Sequence, residues 1–136
     1  SYWNPSFACP VKESTANQVD FLLRKIALAE PEKRIFLYLN VDAIHYPNYF
    51  YLDGAEHDSL ESHKAALRYV DGQMGRLLDG WKEIRGGGFV ICCSDHGTCY
   101  GEDGCLFHGI NHPVVNTVPY KHFFISAGNE PGRSFT

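Results

Sequence analysis

FVICCSDHG, residues 89–97, is the stretch on which the reading of the fold turns. An apolar run, Phe89 to Cys93, passes at once into Ser-Asp-His-Gly. A short, unbroken apolar run is how a strand covered on both faces reads. Residues 35–41, IFLYLNV, read the same way, and Phe123 to Ser126, preceded by Val118-Pro-Tyr, is a third candidate strand. Between the first two lies the strongest helical signal in the chain. Leu60, Leu67, Val70, Met74, Leu77, Leu78, Trp81 and Ile84 recur at steps of three and four, which is one apolar stripe of a helix. Asp58 and Glu61 are placed to cap its start, and Gly86-Gly-Gly88 ends it.

Strand, helix, strand is a β-α-β unit, which predicts parallel strands joined by a right-handed crossover. In such sheets ligands gather beyond the carboxyl ends of the strands. The two loops expected there carry His45 in one and Asp95 with His96 in the other. Upstream, residues 1–13 read as irregular, with Pro5 and Pro10. Thr15 with Gln18 has the spacing of a capping box ahead of a helix marked by Val19, Leu22, Leu23 and Ile26, which Pro31 stops.

The 136 residues suit a single domain spanning residues 1–136, and 44% apolar residues allow a core. A formal charge of −4 argues against a general nucleic-acid binder, which needs a basic face to displace counterions from phosphates. No stretch has the length of a membrane span, and no cationic, apolar leader opens the chain. The chain begins Ser-Tyr-Trp-Asn-Pro without Met, and reads as the interior of something longer. Its five cysteines are odd in number and contain no C-x-x-C pair, which favours a reduced, cytoplasmic compartment.

An imidazole nitrogen and a carboxylate oxygen are ligands for Zn²⁺ or Mn²⁺, and Ca²⁺ or Mg²⁺ also takes the carboxylate. Asp95 and His96 supply both groups side by side. His108 is placed to return to the same point after the loop, and His45 comes from the neighbouring strand end, which makes up to four ligands. A divalent ion there polarises an ester oxygen and offsets charge on a transferring phosphoryl or sulfuryl group. The plainer readings are a turn for Asp95-His96, a backbone hydrogen bond for His45, solvated side chains for His57 and His63, and structural roles for His112 and His122. Glu102 and Asp103 read as loop charges, with Glu102 also able to support a ligand from behind. Cys92 and Cys93 point to opposite faces of a strand and so read as small core residues rather than joint ligands. Cys99 and Cys105 read as loop thiols, and a structural Cys-zinc module is the rival metal reading.

Four segments together resemble the alkaline phosphatase superfamily and its sulfatase-like branch: FLYLNVDAIHYPNYF (36–50), RYVDGQMGRLLDGWKE (68–83), FVICCSDHG (89–97) and LFHG (106–109) followed by VNTVPYKHFFIS. In order they cover roughly residues 34–126. The resemblance implies a three-layer α/β/α fold with a mostly parallel sheet, here incomplete. It implies Asp95 and His96 as a metal-ligand pair, with His108 and His45 as both metal-facing and catalytic residues beside the substrate. His96 stands where many sulfatases have Asn, which leans the expected small-molecule substrate, a phosphate or sulfate ester, toward a phosphoester, phosphonate or phosphoethanolamine type. Asp42 does not keep the superfamily's spacing to the His and is not carried over. The superfamily's nucleophile and first metal carboxylate belong to an N-terminal part that nothing in residues 1–33 resembles, and Cys9-Pro10 fails the sulfatase nucleophile pattern. The expectation is therefore the C-terminal portion of a metal-dependent hydrolase or transferase, inactive alone and prone to self-association. The alternative is a non-catalytic metal- or anion-binding domain.

Overall fold

The structure is a computed structural model and describes residues 11–126. The expectation for residues 1–13, and Cys9-Pro10 with it, falls largely outside that range. The chain forms two compact units, Ser1–Gly86 and Gly87–Thr136.

The first unit is built on two helices, α1 (Ser14–Leu28) and α2 (Leu60–Arg85). The apolar stripes meet as their spacing predicts. Val19 and Ile26 of α1 and Leu77 of α2 form the buried centre, with Leu22, Leu23, Met74 and Trp81 around it. At Gly80 a β-carbon would stand 2.5 Å from a Leu23 methyl, so the helices lie in close contact at that level. Arg76 reaches across to Asp20 at 2.6 Å. Arg85 donates to the carbonyls of Glu30, Pro31 and Lys33, which ties the end of α2 to the chain just beyond α1.

The caps differ from those expected. Thr15 lies buried inside the first turn of α1, Glu13 precedes the helix without a side-chain cap, and Gln18 donates to the Asn40 carbonyl instead. On α2 the cap is Ser59: its hydroxyl accepts from the Ser62 N–H while Ser62 Oγ accepts from the Ser59 N–H. Asp58 turns the other way and accepts from the N–H groups of Asn48 and Tyr49, both at 2.7 Å. Gly86 closes α2 at φ 79°, a conformation that favours glycine.

The second unit holds β1 (Gly88–Cys93), β2 (Cys99–Tyr100), β3 (Leu106–Phe107), a four-residue helix α3 (Pro113–Asn116) and β4 (Tyr120–Ile125). β1 pairs antiparallel with β4, from Gly88 opposite Ile125 to Cys93 opposite Tyr120. β2 pairs antiparallel with β3.

This overturns the expected mostly parallel three-layer α/β/α sheet, since among the described residues both sheets are two-stranded and antiparallel. The strand at 89–93 and a strand near 123–126 are present, but β4 runs back along β1 instead of beside it in parallel. The remaining expected strand, 35–41, forms no ladder. Ile35, Leu37 and Leu39 pack on the α1–α2 core, while Phe36 and Tyr38 are 91% and 77% exposed. An apolar run suggested cover on both faces; one face of it is aromatic and open. The same holds for β1, where Phe89, Ile91, Cys92 and Cys93 are all exposed, so Cys92 and Cys93 are not core residues. Cross-strand partners share a face, so Phe89, Ile91 and Cys93 stand with Phe124, His122 and Tyr120, and the Phe89 and Phe124 rings lie 4.9 Å apart.

Candidate functional site

The second unit brings the residues of the DHG turn and of LFHG together. Beyond β1 the backbone turns sharply: Ser94 Oγ donates to the His96 carbonyl at 2.6 Å, and Asp95 Oδ1 accepts from the His96 N–H at 3.0 Å. The Gly97 N–H donates to the Val115 carbonyl at 2.8 Å. A β-carbon on residue 97 would stand 1.9 Å from the Val114 carbonyl oxygen, so only glycine lets the turn lie this close to α3.

His96 Nδ1 lies 2.9 Å from the Gly97 carbonyl oxygen. A carbonyl only accepts, so Nδ1 carries the proton and Nε2 of the neutral ring has the lone pair. That is the arrangement commonly found behind a metal-ligating imidazole. Nε2 faces Asp95 Oδ2 at 3.8 Å, with the Asp95 side chain 85% exposed. Around a tetrahedral ion with bonds of about 2 Å two ligand atoms lie about 3.3 Å apart, so this pair would have to close by about 0.5 Å to share one. His108, directly after β3, places its ring 4.2 Å from the His96 ring at 23° between planes. Among the described residues, however, no group of three or more His, Cys, Asp or Glu side chains is arranged to hold a metal ion. The four-ligand cluster expected from the sequence is thus represented here by an Asp95–His96 pair with a second imidazole, His108, stacked on His96.

His45 belongs to the first unit. It sits on a turn closed by its own N–H donating to the Asp42 carbonyl at 3.0 Å. Its Nδ1 lies 2.8 Å from the Tyr46 carbonyl oxygen, so here too Nδ1 is protonated and Nε2 has the lone pair in the neutral ring. The loop it leads is anchored by Asn48, fully buried, whose Oδ1 accepts from Ser62 Oγ at 2.6 Å. The Tyr46–Pro47 bond within the loop is cis. His57 is exposed as expected. His63 is not simply solvated: it is half-buried, and burial pushes its pKa down, with a hydrogen bond at the Ile44 backbone working the other way.

Around the DHG turn runs a set of contacts with no local sequence signal. His112, taken from the sequence as structural, is 9% exposed, and both its nitrogens are used. Nδ1 accepts from the Val114 N–H at 3.2 Å and lies 3.3 Å from Cys99 Sγ; Nε2 lies 3.2 Å from Asp103 Oδ2. Burial pushes the Cys99 thiol up, and the charge of Glu102 adds to that; its sulfur shares the Nδ1 edge of the ring with the Val114 N–H. Glu102 turns back on the loop and accepts from the Tyr100 N–H at 2.6 Å; backbone N–H groups hold its carboxyl below the usual range. Asp103 is therefore more than a loop charge, and Cys99 is a buried strand residue rather than a loop thiol. His122 stands exposed on β4 among the rings of Phe89 and Tyr120.

No family model, no curated protein and no solved structure matches the chain. No helix among the described residues is long and apolar enough to cross a membrane.

Proposed function

We propose that the chain is part of a metal-dependent hydrolase or transferase acting on phosphate or sulfate esters, of the alkaline phosphatase type in its site chemistry. The antiparallel β1–β4 pair lends the reading no support, so it rests on the site. One observation carries it: Asp95 Oδ2 and His96 Nε2 converge to 3.8 Å while His96 Nδ1 is tied back to the Gly97 carbonyl. That leaves an exposed carboxylate oxygen 3.8 Å from an imidazole nitrogen with a free lone pair.

In this reading Asp95 and His96 hold a divalent ion, zinc or manganese before calcium or magnesium. Bound there, the ion acts as a Lewis acid toward a phosphoryl or sulfuryl oxygen and lowers the pKa of the attacking group. Asp95 supplies negative charge that fixes the cation. His96 is held in one tautomer by the Gly97 carbonyl. His108, stacked on His96, would offer a second imidazole to the substrate oxygens. The exposed aromatic face of β1 and β4 supports self-association of the chain.

The test uses the longest protein that contains this sequence, assayed on a panel of aryl phosphates and sulfates. Asp95→Asn is expected to lower turnover by orders of magnitude. Unchanged turnover rejects the proposal. Zinc binding without turnover in the parent protein points instead to a non-catalytic metal-binding domain.

A further inference from the structure

We propose that His112 is a positioning residue that keeps the His108 ring on His96. The inference rests on the proposed function for its purpose, but not for its geometry. Three separated pieces of chain meet at the His112 imidazole: Cys99 in β2, Asp103 in the turn that follows, and Val114 at the start of α3. The hairpin from 99 to 107 is thereby fixed at its first residue and at its tip. α3 is fixed twice, by His112 and by the Gly97 N–H bonded to the Val115 carbonyl. His108 lies in the short span between the end of that hairpin and His112. With both ends of the span held, its ring is delivered 4.2 Å from His96.

The chemistry of the link is specific to an imidazole. Nδ1 must accept, because it faces a backbone N–H; Nε2 must then donate, and the group it meets is a carboxylate. Asparagine reproduces the first role, being a good acceptor for the N–H at a helix start, and does not reach the second. His112→Asn therefore keeps the local turn and cuts the connection to Asp103. Asp103→Gly removes the acceptor altogether from a side chain that is 88% exposed, suits the positive φ of 51° at this position, and so leaves the interior of the unit untouched.

The experiment is imidazole NMR on this 136-residue chain, together with zinc titration against a chromophoric chelator. In the parent, a cross-peak between the His96 and His108 ring protons is expected. In His112→Asn that cross-peak disappears and zinc affinity falls about 10- to 100-fold, the usual cost of losing support behind a ligand. The Phe89–Phe124 cross-strand contacts remain. A merely structural role would weaken the β1–β4 contacts together with the histidine pair, or move neither. Retention of both the cross-peak and the affinity in His112→Asn overturns the proposal. Should that variant unfold the unit, Asp103→Gly decides, and an unchanged cross-peak there overturns it equally. A cross-peak that is lost in a chain that binds no zinc upholds the positioning role and counts against the metal reading.

Discussion

The two units are held by different means. In the first, Val19, Ile26 and Leu77 form a buried apolar cluster between two helices, and Ala66 and Val70 of α2 are buried as well. In the second, the buried residues among those described are Cys99, His112 and Val115, and the strands expose Phe89, Ile91 and Phe124. Apolar burial is the main stabilising term for a domain and is tolerant of small shifts. Hydrogen bonds contribute about 1 kcal/mol each and hold direction as well as distance. The second unit is therefore thinly stabilised but closely specified, and it carries Asp95, His96 and His108. Sites are commonly drawn from the less stable parts of a molecule for this reason.

The sharpest way to break that contrast is Gly97→Ala. One added methyl would stand 1.9 Å from a backbone oxygen that cannot swing aside. Overpacking usually costs about 1–3 kcal/mol, and this case belongs at or above the top of that range. The expected result is loss of exchange protection at the Gly97 N–H and of the His96–His108 cross-peak. Protection unchanged from the parent contradicts the close approach. In the first unit the corresponding test is Leu77→Ala, where a deletion in the apolar centre is expected to cost about 2–5 kcal/mol. Denaturant unfolding followed at Trp81, which packs on that centre, measures it. A cost below about 1 kcal/mol would mean that the helix interface is not the main support of the unit.

The same contrast explains what was legible in the sequence. The stripes of α1 and α2 were readable because helical burial repeats locally, every three or four residues. Asp95 and His96 were readable because they are adjacent. Strand partnership was not: whether Phe89–Cys93 pairs with residues 35–41 or with 120–125 depends on contacts distant along the chain. The apolar character of Phe36, Tyr38, Phe89 and Ile91 also misled, since each faces outward. Nothing in the spacing of Cys99, Asp103 and His112 announces that they meet. The cap of α2 was misassigned because Asp58, Ser59 and Ser62 are all capping residues by type. Only the fold shows that Asp58 is engaged by the Asn48 and Tyr49 N–H groups.

Polar ties also occur in the first unit, and they allow a finer comparison. Ser59→Ala removes one cap acceptor and is expected to cost about 1 kcal/mol. Ser62→Ala removes the reciprocal cap bond and also the donor to Asn48 Oδ1, inside a residue with no solvent exposure. A cost of about 2 kcal/mol is expected there, because a buried acceptor loses a partner. Equal costs for the two, by thermal or urea unfolding, would show that the Ser62–Asn48 bond does not anchor the His45 loop.

The smallest effect concerns pH. His63 is half-buried on α2, and burial holds its pKa below 6.5, the Ile44 backbone bond only partly offsetting this. The folded state thus binds a proton at this ring less readily than the unfolded chain. Its contribution is fully present above about pH 6.5, and it is lost as pH falls from there through the folded-state pKa. His63→Gln keeps a polar side chain and removes the titration. The variant is expected to lose less stability than the parent between pH 7.5 and 5.5, read as the difference between the two unfolding curves at each pH. Curves that stay parallel across that window would show that the His63 ring is as easily protonated in the fold as in water. The ring would then lie open to solvent, and the first unit would be less closely packed beneath the His45 loop than its contacts indicate.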